Sequence, residues 1–245
     1  MSHRALRDSL LAKTAVCALN EHGKIVREAQ VASDPAVIAQ FTGSLDGEVT
    51  MMGLEAGPLS QWLHRGLSEA GADVVLMETR QVKGALQAMP IKTDRRDAEG
   101  IARLLHLGWF RPVHCKSVSA QEVRALLGAR KAIQQSMIAI ELSLRGLLRN
   151  FGLQVGQISR GRFEVRVREL VEGNAMLEAA SAPMLRARDG LRQELAGLER
   201  VVRVLAKDDP ICCRMMTMPG VGAVVALTFR SAVDDPSRFH LVQEG

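Results

Sequence analysis

The chain has 245 residues, 47% of them hydrophobic and 24% charged, a globular composition with length for one large domain or two ordinary ones. Six Phe, two Trp and no Tyr exclude a tyrosine nucleophile and weaken any reading that stacks single-stranded bases on aromatic platforms. The net charge of +5 rests on 25 Arg against 7 Lys, and Arg is the residue suited to bidentate phosphate contacts.

Residues 14–19 read as a strand, 20–23 as a turn and 24–32 as a second strand. Ser33-Asp34-Pro35 starts a helix with Pro at its first position. Residues 49–54 and 74–77 are further strands, joined by a helix over about 58–70. This rhythm predicts an α/β domain with a mixed sheet over residues 1–110.

A long helix follows over 119–151. Leu126, Ile133, Met137, Ile140, Leu144, Leu147 and Phe151 form its apolar seam, with Arg130 at one core slot. A second seam runs through Met184, Leu191, Leu195, Leu198, Val202 and Leu205, with Arg188 at a slot and Pro183 expected in the first turn. Together they predict an antiparallel helical pair within a basic region spanning 111–207. Both stripes are explained by core packing, and dimerisation through them is not required.

Beyond Asp208 the chain changes once more, into a third region, 208–245. Helices are expected over 211–218 and 222–231, with Pro219-Gly220-Val221-Gly222 between them. Glycine-rich turns of this kind either present backbone N–H groups to a phosphate, through Gly220 and Gly222 here, or simply reverse the chain.

Cysteines 17, 115, 212 and 213 make no zinc-type spacing and read as reduced thiols. With no apolar run long enough to span a membrane and no signal-like start, the expected compartment is the cytoplasm. None of the six histidines pairs at ligand spacing.

The acidic residues carry the chemistry. Glu55 directly follows an apolar strand, the position where α/β folds place functional groups. Asp94 and Asp97 lie three apart at the start of a helix, hence on one face. They also complement the helix dipole, which alone would explain them. Carboxylates converging from separate elements repel one another and are tolerated where divalent cations neutralise them.

Gly53-Leu54-Glu55-Ala56-Gly57, Met77-Glu78-Thr79-Arg80-Gln81-Val82-Lys83 and Lys92-Thr93-Asp94-Arg95-Arg96-Asp97-Ala98 resemble the DEDD transposases of the insertion sequence 110 family. Residues 218–226, Met-Pro-Gly-Val-Gly-Ala-Val-Val-Ala, resemble that family's C-terminal block, and the motifs stand in the family's order. The resemblance implies an RNase H-like (RuvC-like) fold for 1–110 and a partial α-helical transposase domain for 208–245. It implies a four-carboxylate site of Asp8, Glu55, Asp94 and Asp97, with Mg²⁺ or Mn²⁺ as cofactor. DNA is the implied partner, together with a structured guide RNA and a homo-oligomeric assembly.

Two departures stand beside it. The surroundings of Asp8, Ala5-Leu6-Arg7-Asp8-Ser9-Leu10, are not the family's apolar strand. The family's C-terminal domain continues past the Asp-Pro-Ser-Arg-Phe segment to a serine implicated as nucleophile, which no residue here matches. Impaired exchange by a truncated enzyme is therefore expected. A RuvC-like junction resolvase and an inactive remnant that binds only nucleic acid or a partner remain as alternatives.

Arg80, Lys83, Lys92, Arg95 and Arg96 flank the acids and are expected to hold a nucleic-acid backbone. Residues 111–168 carry eleven basic and three acidic side chains, a local charge of +8. Arg160 and Arg162 sit in the connection between the long helices, as expected of phosphate neutralisation; a solvated helix face is the competing explanation.

Overall fold

Residues 13–32 fold back on themselves around one side chain. Asn20 Oδ1 accepts from the backbone N–H of His22 at 3.0 Å and of Lys24 at 2.9 Å, closing the turn that the polar stretch announces. The computed structural model, which describes residues 13–87 and 93–239, divides the chain into two compact units, Met1–Lys116 and Ser117–Gly245.

In the first unit, strands β1 (Lys13–Leu19) and β2 (Ile25–Ala32) form the hairpin, paired from Lys13 with Ala32 to Leu19 with Ile25. Asp34 caps helix α1 (Pro35–Gly43), accepting from the N–H groups of Ala36 and Val37. Strand β3 (Met52–Glu55), helix α2 (Ser60–Glu69) and strand β4 (Val74–Met77) make a parallel strand–helix–strand unit. Helices α3 (Thr79–Leu86) and α4 (Asp94–His106) follow.

The single mixed sheet expected for this region is corrected among the described residues: β1–β2 is an antiparallel pair and β3–β4 a separate parallel pair. Helix α4 packs on both β1 and β3, so side chains rather than ladder hydrogen bonds connect the two pairs. The core has two parts. Ile38, Leu63, Leu67 and Val74 gather under α1 and α2, and Met77, Val82 and Leu104 gather where α3 and α4 meet β4.

The second unit is built on two long helices, α5 (Val118–Arg149) and α7 (Ala175–Asp208). A 3-10 turn at Arg160–Arg162 and the short helix α6 (Phe163–Val171) lie between them. Helices α8 (Pro210–Met215) and α9 (Ala223–Val233) complete the unit, and α9 packs on both long helices. Antiparallel packing is fixed by two ion pairs, Arg130 with Glu199 and Arg188 with Glu141, each at 2.7 Å. From Arg130 to Glu141 is eleven residues forward on α5, and from Glu199 to Arg188 eleven back on α7.

Several helical expectations shift. Pro183 stands inside α7 rather than in its first turn, because Asn174 starts that helix by accepting from Leu177 N–H. The proline therefore removes the donor to the carbonyl of Ala179 from within a continuous helix. Phe151, placed on the first seam, is 60% exposed because α5 ends at Arg149; Leu148 takes the core position. Leu205 faces outward, and Ala206 is buried instead. Ser231 is a buried residue of α9 whose hydroxyl donates to the Thr228 carbonyl.

Candidate functional site

The first unit delivers its acidic side chains through the ends of its elements. Glu55 is the last residue of β3, paired with Met77 of β4, and is half-buried. Beyond that pair, Ala56 N–H donates to the Met77 carbonyl at 3.0 Å, and Thr79 Oγ1 donates to the Ala56 carbonyl at 2.6 Å. The turn after Glu55 is thus tied to the start of α3, which also carries Arg80 and Lys83 as exposed cations.

Asp94 and Asp97 occupy the first turn of α4, capped by Thr93, whose hydroxyl accepts from Arg96 N–H at 3.3 Å. The helix reaches β3 through Gly53. A Cβ there would stand 2.9 Å from Met77 Sδ, 3.4 Å from Leu105 Cδ2 and 3.5 Å from Ile101 Cγ2. The tight contact is therefore with the Met77 side chain of β4, whereas Leu105 and Ile101 of α4 would meet the added carbon at ordinary van der Waals distance.

The charges sort into two groups. Glu99 is paired with Arg103 at 2.7 Å, and Glu28 of β2 is paired with Arg95, whose Nε donates to it at 2.9 Å. This guanidinium holds the Glu28 carboxyl below the ordinary carboxylate range. The side chains of Glu55, Asp94 and Asp97 make no hydrogen bond or ion pair among the described residues. Oxygen-only donors of this kind suit a hard divalent cation.

Among the described residues, however, no three acid, His or Cys side chains come together in a group able to hold a metal. Asp8 and Lys92 lie outside the described residues. Arg95, expected to hold a nucleic-acid backbone, is instead committed to Glu28, 67 positions away, a partnership that no local pattern announces.

One acid went unassigned by sequence reasoning. Glu78 follows directly on β4, as Glu55 ends β3, and the two strands are parallel and in register up to that point. It is half-buried, with no side-chain cap bond to α3. The available signal was the one used for Glu55, a carboxylate at the C-terminal end of an apolar strand.

In the second unit, Arg160 and Arg162 form the exposed 3-10 turn before α6. Much of the surrounding positive charge is neutralised locally: Arg166 by Glu169 at 3.3 Å, Arg168 by Glu164 at 2.7 Å, and Arg130 by Glu199. Arg160 and Arg162 have no acidic partner among the described residues. Gly220 takes a left-handed φ of +82° in the turn after α8, whereas Gly222 is the extended N-cap of α9. Helix α8 stops at Met215, short of the expected 218.

Against known proteins, the family model for DEDD transposases of the insertion sequence 110 type, described as "Transposase", matches residues 11–152. The chain belongs to this transposase family. It is 27% identical to the transposase for insertion sequence element IS1111A of Coxiella burnetii, over 92% of this chain and 61% of that protein. It is also 27% identical to a Pseudomonas aeruginosa protein named "Probable family 20 transposase", over 77% of this chain and 57% of that one. The chain thus spans about three-fifths of the length of these relatives. The family match contains Glu55, Asp94 and Asp97 and begins after Asp8. No described helix is long and apolar enough to cross a membrane.

Proposed function

We propose that this transposase-family chain acts on DNA phosphodiester bonds. In this reading residues 1–110 form an RNase H-like, RuvC-like domain whose Asp8, Glu55, Asp94 and Asp97 hold Mg²⁺ or Mn²⁺. The observation that carries it is the placement of three acids on β3 and α4, two elements that pack on each other. Glu28 and Glu99 are neutralised by arginines, whereas the side chains of Glu55, Asp94 and Asp97 have no partner among the described residues. A divalent cation bound there would polarise the phosphodiester and stabilise its developing negative charge. The chain's own part is to supply oxygen donors from the end of β3 and the first turn of α4. Arg80 and Lys83, on the helix tied to the Glu55 turn, orient the backbone of the DNA strand. Arg96 stands beside the two aspartates on α4.

Metal-dependent strand cleavage or exchange on insertion-element ends tests this directly. Asp94→Ala should lower the rate about a thousandfold, the equivalent of several kcal/mol of lost transition-state stabilisation. Equal rates for Asp94→Ala and the parent would refute the assignment.

A second reading, a chain that binds nucleic acid without performing exchange, is favoured by one observation: no three metal-ligating side chains converge among the described residues. Salt-sensitive binding of element ends without turnover, in the presence of Mg²⁺ or Mn²⁺, would select it. A guide RNA and a homo-oligomeric assembly belong to the same family-based proposal.

A further inference from the structure

The connection between α5 and α7 is held from beneath by two arginines. Arg188 is only 3% exposed. Its Nε donates to Glu141 Oε1 at 2.7 Å and its Nη2 to the backbone carbonyl of Arg160 at 2.8 Å. The same guanidinium lies 4.9 Å from the centre of the buried Phe163 ring. Arg145, from α5, lies over that ring at 5.3 Å and donates to the Gly156 carbonyl at 2.7 Å. Each long helix therefore commits one guanidinium to a carbonyl of the connection.

Core packing does not require this arrangement. A buried ion pair gives up two hydration shells, and apolar side chains of similar volume serve a core equally well. What Arg188 adds is a fixed backbone at Arg160–Arg162, the turn whose two arginines have no acidic partner among the described residues. Beside it lies a 310 Å³ groove whose polar lining is Gln157, Ser159, Arg162, Arg166 and Glu169, with Ile158 and Val165 as its apolar wall. Arg166 shares its charge with Glu169, which leaves Arg162 as the groove's cation without an acidic partner among the described residues.

We propose that Arg188 is a positioning residue for a phosphodiester-binding turn. It fixes the backbone from which Arg160 and Arg162 reach successive phosphates of a nucleic-acid strand, with the groove seating one of them. A turn ordered before binding spares the ligand the ordering cost that a flexible loop would impose. The inference rests on the reading that this basic connection binds nucleic acid.

The test measures affinity of the full chain against salt concentration, using a DNA duplex and an RNA hairpin with the same stem sequence. Arg160→Ala with Arg162→Ala should flatten the log–log slope by about 0.9 per lost phosphate contact on duplex DNA and weaken binding uniformly across sequences. Arg188→Met combined with Glu141→Leu, which removes the pair together and spares the core an unpaired charge, should flatten the slope to a similar extent with the thermal midpoint near the parent's. Arg188→Lys keeps a cation beside Glu141 without the fork that also reaches Arg160, and should give an intermediate slope. It carries the test alone if the double variant fails to fold. Flattening on DNA, on RNA or on both supports the inference and identifies which backbone the turn holds. A parental slope in the Arg188 variants, with flattening in the Arg160/Arg162 variant, overturns the positioning role and leaves the nucleic-acid reading standing. A parental slope in the Arg160/Arg162 variant overturns both.

Discussion

The two units treat charge in opposite ways. In the second, the arginines that interrupt the apolar seams are neutralised across the helical pair, Arg130 by Glu199 and Arg188 by Glu141. In the first, the side chains of Glu55, Asp94 and Asp97 sit at element ends without partners among the described residues, although Arg95 and Arg103 lie on the same helix as the two aspartates and pair elsewhere. Compensated charge inside a helical pair is a structural element, and removing half of it exposes the other half to an apolar surrounding. Carboxylates left uncompensated at the ends of a strand and a helix are not needed to hold those elements together. The difference separates residues kept for folding from residues available to a ligand.

Stability measurements can break that distinction. The largest effect is expected for Arg188→Ala, which leaves Glu141 without its partner and frees the Arg160 carbonyl; about 3–5 kcal/mol should be lost in denaturant unfolding. A loss under 1 kcal/mol would show that the pair is dispensable. In the first unit, Gly53→Ala should cost about 1 kcal/mol, because its Cβ meets Met77 Sδ at 2.9 Å and the buried Met77 side chain must shift. Glu55→Gln should change stability by no more than about 0.5 kcal/mol, because this half-buried side chain has no polar partner among the described residues to lose. A loss comparable to that of Arg188→Ala would place Glu55 among the folding residues and erase the contrast.

The smallest effect concerns pH. Arg95 lowers the Glu28 carboxyl below its ordinary value in the folded chain, so the unfolded chain binds this proton more readily. The contribution is therefore present above the unfolded carboxylate range and disappears as pH falls through the lower folded value. The midpoint difference between the parent and Glu28→Gln should shrink on acidification from neutrality. A difference that persists at full strength in acid would mean that the pair is not its source.

The legible parts of the chain were those written in local pattern. The hairpin, the parallel strand pair, the start of α1 at Asp34-Pro35 and both long helices follow from alternation, turn chemistry and seam periodicity. What was not legible depends on long-range partners or on where a helix ends. Pro183 looked like a helix start because proline favours that position, yet Asn174 begins the helix a full two turns earlier. Phe151 continued the seam in spacing, but the helix stops before reaching it. At the candidate site, motif and position picked out Glu55, Asp94 and Asp97, and the same rule applied to β4 would have added Glu78. The commitment of Arg95 to Glu28 was invisible, since it joins β2 to α4 across 67 positions.

The matched eleven-residue spacing of the ion pairs has a consequence for assembly of the long helices. Eleven residues make close to three helical turns, about 16 Å, so both pairs stand on one face and close together or not at all. Sliding one helix past the other by a single turn, about 5.4 Å, would break the two pairs at once and leave the buried Arg188 without its carboxylate. The apolar seam, nearly periodic, would tolerate such a slip. The arginines and glutamates admit one alignment, and with it one height at which the Arg160 carbonyl can meet Arg188.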